Sequence, residues 1–195
     1  MERKVEYANL LSRILLRSSF DRQFVIPPPP KILEPFLIWC ESNILGVDLH
    51  DIEIDRPTFM IALPRAGASI IQNVVCAHPK IAYVTNTIHQ FRRCFCAAEH
   101  LRKKLNLNVK GERYLGDSAE VDAETPADGV AFWSAWLKED PYSLDYVERN
   151  YDDFSRDQIE SMYETIRKMI WCFGGRASRF FSKNPGLIPR ILNNQ

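Results

Sequence analysis

The chain has 195 residues, 46% of them hydrophobic and 26% charged, which suits one domain of ordinary size with a buried core and excludes a disordered polymer. Its 25 basic and 25 acidic residues cancel to a net charge of zero. That excludes broad binding to nucleic acid or to a membrane surface, which needs a basic excess, and leaves open a small anion held by a local cluster.

The N-terminal "MERKVEYANLLSRILL" has charges where a signal peptide needs an unbroken apolar stretch, and no apolar run approaches the roughly 18–20 residues of a membrane span. A non-membrane, cytoplasmic protein is the expectation. Residues 1–20 predict an amphipathic helix, with Tyr7, Leu10, Leu11, Ile14 and Leu15 at helical spacing. "IPPPPKILEP" cannot continue it, because successive prolines lack donors and favour extended structure, and it reads as a stiff connector. A short apolar helix around Phe36, Leu37 and Trp39 follows over 31–45. The expected organisation is an N-terminal helical segment with its connector over 1–50 and an α/β domain over 51–195.

After Pro57, "TFMIALP" is a short continuous apolar run, as expected for a strand covered on both faces of a parallel sheet. Ile70, Ile71, Val74 and Val75 predict a helix over 68–77 with these residues as its buried stripe. "HP" stops it, with His78 capping or packing at the helix end, and "KIAYVTN" predicts a second strand. Strand, turn, helix, strand is a βαβ unit, so these two strands are expected to be parallel. Ile88, Phe91, Phe95, Ala98, Leu101 and Leu105 predict one helix from 88 to 105, ending in the basic "RKKL" that helix C-termini favour.

Residues 106–130 are polar and without a clear period, and predict a long loop. Glu124 within it reads as a solvated loop carboxylate or a group covering an acceptor. Trp133 and Trp136 in "AFWSAWL" either fill core or line a pocket. The strongest helix spans 156–172, with Ser155 and Gln158 as a capping box and Gly174-Gly175 as its stop. "RFFSKNP" predicts a third strand ending at Lys183. The five cysteines, Cys40, Cys76, Cys94, Cys96 and Cys172, lack CxxC spacing and read as small buried hydrophobes of a reducing compartment; no metal site is expected.

The bend "LPRAGAS" carries the candidate chemistry. Where a parallel strand turns into a helix, the first helical N–H groups and the helix dipole favour an anion. Gly67 lets the backbone approach an oxyanion, Ser69 adds a hydroxyl, and Arg65 adds a forked cation suited to phosphate or sulfate. The alternative is an exposed arginine in an ordinary turn. The GxxxxGK[ST] string of nucleoside-triphosphate enzymes is missing, which disfavours a kinase.

"FMIALPRAGASIIQNVVCAHP" resembles the 5′-phosphosulfate loop of sulfotransferases, usually a strand, P-[RK]-S-G-[TS]-[TS], a helix and often "HP". In order after it, "IAYVTN", "ETPADGVAFWSAWL" and "RFFSKNPGLIPRI" resemble later segments of a bacterial branch of that family, over about residues 56–192. The resemblance implies an α/β, P-loop-like parallel sheet flanked by helices, and a donor, 3′-phosphoadenosine-5′-phosphosulfate (PAPS), used without a metal. Arg65, Ala66, Gly67, Ala68 and Ser69 would form the donor loop, with Lys183 neutralising the bridging oxygen and His89 as the acid/base group. A second role for His89, as a surface or helix-terminal histidine, stays open. The acceptor would be a hydroxyl or amine of a small molecule or glycan, with oligomeric state undetermined. The pattern departs at Ala66 and Ala68, where the family has hydroxyls. It also departs at "LIPRILNNQ", which closes the chain before the family's 3′-phosphate segment, so the expected sheet is incomplete at its C-terminus. A non-catalytic anion- or nucleotide-binding module is the alternative to an active sulfotransferase.

Overall fold

The computed structural model describes residues 5–16, 31–63, 66–112, 119–137 and 151–184. In chain order they form β1 (Glu6–Tyr7), α1 (Leu10–Leu15), α2 (Leu33–Asn43), β2 (Thr58–Met60), α3 (Ala68–Cys76), β3 (Ile81–Tyr83) and α4 (Asn86–Gln90). Then come α5 (Phe95–Lys104), β4 (Val109–Glu112), β5 (Glu120–Asp122), α6 (Val130–Leu137), a 3₁₀ turn (Tyr151–Asp153), α7 (Arg156–Cys172) and β6 (Arg179–Lys183). The prolines of the expected connector at 27–30, Pro64, Arg65 and the segment after Asn184 lie outside the described residues. The fold is mixed α/β with two three-stranded sheets, one parallel and one antiparallel, flanked by helices. The chain divides into two units: residues 48–84 with 126–195, and residues 1–47 with 85–125.

The first of these units holds the parallel sheet, in the order β2-β6-β3. β2 and β3 both run parallel to β6, as the βαβ reading requires, and β6 lies between them. β6 is the buried strand, with Phe180 through Asn184 all out of solvent. β2 does not match the expectation of a strand covered on both faces: Thr58 and Phe59 are exposed. Among the described residues it pairs on one side only, so burial falls on its neighbour.

α3 forms where periodicity places it, yet it buries the opposite set of residues. Ala68, Gln72 and Cys76, at i, i+4 and i+8, face inward, whereas Ile70, Ile71 and Val74 are 71%, 51% and 70% exposed. The Gln72 amide donates to the Ala127 carbonyl at 3.0 Å, which turns this polar residue inward and the predicted stripe outward. α7 matches its predicted bounds and capping box, burying Ile166, Met169 and Ile170 against β3 and β6. It ends at Gly174 and Gly175, whose φ values of 67° and 71° lie in the left-handed region that glycine tolerates. Trp133 stands edge-on to Trp136 and to Phe59, both with ring centroids 5.2 Å apart, and Phe59 in turn meets Phe180. Trp136 is buried, so the tryptophan pair contributes to the aromatic core of this unit.

The second unit holds the antiparallel sheet β1-β4-β5. Three expectations are corrected in it. The predicted helix over 1–20 is shorter, because Tyr7 pairs with Val109 in β1 and Asn9 caps a helix that begins at Leu10, accepting from Ser12 N at 2.7 Å. The predicted loop 106–130 contains β4 and β5, which supply Val109 to a core with Leu16, Leu107 and Ala123. The predicted helix 88–105 is two helices, broken by a turn in which Cys94 N donates to Phe91 O at 2.8 Å. That break sets Phe91 against two core clusters, the one just named and Leu37–Cys94–Ala97, which joins α2 to α5.

A buried polar network runs through the same unit. Thr85 donates to Glu99 at 2.6 Å, and Arg102 bonds Glu99 and, at 2.8 Å, Glu124. Glu124 is thereby an ion-pair partner, not the merely solvated carboxylate expected. None of the five cysteines forms a disulfide among the described residues, and four of them are buried. Burial pushes the Cys76 and Cys94 thiols up to about 12. Among the described residues no helix is long and apolar enough to cross a membrane.

Candidate functional site

The bend between β2 and α3 provides the local geometry. Gly67 caps the helix with φ of 73°, a conformation that costs a residue bearing a Cβ, and its carbonyl accepts from Ile70 N at 3.0 Å. Among the described residues no atom lies within 4 Å of where a Cβ at Gly67 would stand, so the backbone here is open to approach. Ala66 is exposed and donates from its backbone N to Leu63 O, whereas the Ala68 methyl is buried.

The parallel register brings the second component to this bend. Met60, the last residue of β2, stands opposite Lys183, the last residue of β6. Both strands thus end at one edge of the sheet, where open α/β sheets bind their ligands. Lys183 has a side chain only 9% exposed, and its Nζ donates to Ser69 Oγ at 3.1 Å in the first turn of α3. Residues 114 positions apart thereby converge on the helix N-terminus.

A third component comes from the segment before α6. Asp128 Oδ1 lies 2.8 Å from Lys183 Nζ. The backbone on either side of Asp128 is pinned: Ala127 N donates to Val84 O at 2.8 Å, Ala127 O accepts from Gln72, and Gly129 N donates to Lys183 O at 3.1 Å. Gly129 O accepts from the backbone of Phe132 and Trp133, starting α6. A Cβ at Gly129 would overlap Ser182 Oγ, so glycine here is a packing requirement.

Of the residues singled out from sequence, Gly67, Ser69 and Lys183 meet at this edge. Arg65 lies outside the described residues. His89 is half-buried in the last turn of α4, within the other unit. His78 caps a turn, its Nδ1 accepting from Lys80 N at 3.2 Å. Sequence reasoning missed Asp128 and Gly129. Both lie inside "ETPADGVAFWSAWL", one of the resembling segments, yet neither was assigned a role, and "DG" by itself reads as a turn dipeptide. Among the described residues no group of three or more His, Cys, Asp or Glu side chains is arranged to hold a metal ion.

No protein-family model, no curated protein and no solved structure matches the chain.

Proposed function

We propose that this chain binds PAPS through the β2–α3 bend and transfers its sulfuryl group to a hydroxyl or amine of a small-molecule or glycan acceptor. The single observation that carries the reading is the Lys183–Ser69 hydrogen bond, because it joins the two motif positions that the chemistry requires at one place. The open backbone at Gly67, the first turn of α3 and the Ser69 hydroxyl suit the phosphosulfate oxygens. Arg65 would add a permanent cation to the same loop.

In the proposed transfer the acceptor oxygen or nitrogen forms a bond to sulfur while the sulfur–bridging-oxygen bond breaks, and the electron pair stays on the bridging oxygen. Lys183 stabilises that developing charge from a largely desolvated position, where an ammonium acts more strongly than in water. The acceptor proton passes to a general base; His89, expected in that role from the resemblance, belongs to the other unit. The four buried thiols, none of them in a disulfide among the described residues, support a reducing, cytoplasmic setting.

Two observations favour a second reading, an anion-binding module without transfer. The bend lacks hydroxyls at Ala66 and Ala68, each worth on the order of 1.5–3 kcal/mol when it bonds a charged group. In addition, Lys183 is already paired with Asp128. A kinase is disfavoured by the absent GK[ST] string. Incubation with ³⁵S-labelled PAPS and a panel of hydroxyl and amine acceptors separates the readings. Label transfer that is lost in Lys183→Met supports the transferase, whereas donor binding without transfer to any acceptor supports the binding module.

A further inference from the structure

We infer that Asp128 is a built-in competitor for the anion: it holds Lys183 neutralised in the ligand-free chain and must yield the ammonium before the site is charged. The inference rests on the proposed anion-binding role of Lys183 and adds to it a residue that sets how readily the site opens to a ligand.

Three observations carry it. The first is the contact itself, 2.8 Å from Asp128 Oδ1 to Lys183 Nζ, on the ammonium that also bonds Ser69. An anion placed against the first turn of α3 and drawn to Lys183 meets a carboxylate already there. The second is asymmetry of burial: the Lys183 side chain is 9% exposed and that of Asp128 is 42% exposed. The lysine has little freedom to leave, while the carboxylate can turn to water and be solvated there. The third is the way Asp128 is held. Its neighbours Ala127 and Gly129 are anchored to Val84, Gln72 and Lys183 itself, and Gly129 admits no side chain. This anchorage surrounds a pair whose lysine is largely buried. It fixes where the carboxylate stands, and the exposed part of that side chain keeps water within its reach.

The consequence is a charge balance. With Asp128 in place the pair is neutral, so a weakly charged anion gains little by displacing the carboxylate. An anion bearing several charges on adjacent oxygens, such as a phosphosulfate or a pyrophosphate, gains more. Once it binds, Lys183 faces the ligand and Asp128 faces solvent. Asp128 is therefore a positioning and selectivity residue, acting through Lys183.

The test measures binding of pyrophosphate and, in parallel, adenosine 3′,5′-bisphosphate by isothermal titration calorimetry to the full chain and to Asp128→Asn, Lys183→Met and the double variant. Asn keeps the shape of Asp and removes the charge. Asp128→Asn should bind pyrophosphate on the order of tenfold more tightly than the parent chain, the scale of one close charge–charge coupling. Without ligand it should melt at a lower temperature, because Lys183 loses its counter-charge. Lys183→Met should bind weakly, and adding Asp128→Asn to it should tighten binding much less than in the parent chain, because what remains is only direct repulsion of the anion. A residue with a merely structural role would weaken binding when changed. Equal or weaker pyrophosphate binding by a cooperatively melting Asp128→Asn, or tightening as large in the Lys183→Met background as in the parent chain, would overturn the inference. Tightening toward pyrophosphate without any binding of the bisphosphate would uphold the competitor and contradict the PAPS reading instead.

Discussion

Lys183 at the end of the central strand donates to the hydroxyl of Ser69 in the first turn of α3 at 3.1 Å, so one hydrogen bond ties the sheet edge to the helix N-terminus. Ser69→Ala removes that acceptor while leaving Asp128 on the lysine. It should lower the stability of the chain by about 1 kcal/mol, read by urea denaturation, and weaken binding of anions at the bend. An unchanged anion affinity would show that the hydroxyl does not belong to the site.

Gly129→Ala forces a Cβ into Ser182 Oγ, beneath the segment that carries Asp128. Overpacking of this kind costs about 1–3 kcal/mol, and the melting temperature should fall accordingly. The same substitution at Gly67 meets no atoms among the described residues, so its cost should come from the left-handed backbone alone, on the order of 1 kcal/mol.

Arg102 should matter far more than its partner Glu124. Arg102 is 6% and Glu99 2% exposed, so Arg102→Met strands a buried carboxylate and should destabilise by about 3–5 kcal/mol. The Glu124 side chain is 56% exposed, and Glu124→Gln should change stability by about 1 kcal/mol or less. Chemical denaturation of the two variants side by side gives the comparison.

The thiols Cys76 and Cys94, pushed up to about 12 by burial, stay protonated in the folded chain well beyond their ordinary 9.0. Because only the thiolate reacts, alkylation at pH 8 should be slower than in the unfolded chain by about a thousandfold. The unfolded state releases these protons first as pH rises. Their contribution to stability is therefore complete below pH 9 and is lost as pH climbs from 9.0 toward about 12. A denaturation midpoint followed across that range checks the sign.

What was legible in the sequence follows from how local each signal is. α7 was legible end to end because its capping box, its 3.6-residue stripe and its glycine stop lie within one segment. β6 was legible because the Phe180-Phe181 pair stands in a short stretch bounded by Gly174-Gly175 and Pro185. β4 and β5 were not, since "VKGE" and "EVD" carry one large apolar residue each and owe their extended form to pairing with each other. The inward face of α3 was misread because a single hydrogen bond, from the Gln72 amide to the Ala127 carbonyl, orients it across 55 positions. The site divides in the same way. Gly67, Ser69 and Lys183 sit in recognisable motifs, whereas Asp128 acquires meaning only when the strand register sets it beside Lys183.

The most direct measurement is a thermal-shift titration of the full chain with adenosine 3′,5′-bisphosphate, with 5′-AMP and Mg-ATP in parallel and Lys183→Met as control. A ligand at about 100 times its dissociation constant adds roughly 2.7 kcal/mol of stability, which for a chain of this size raises the melting temperature by roughly 5–10 °C. Such a shift is expected for the bisphosphate, with a smaller one for 5′-AMP and loss of both in Lys183→Met. A cooperative melt that no bisphosphate concentration moves, or a shift produced only by Mg-ATP, would contradict the PAPS reading.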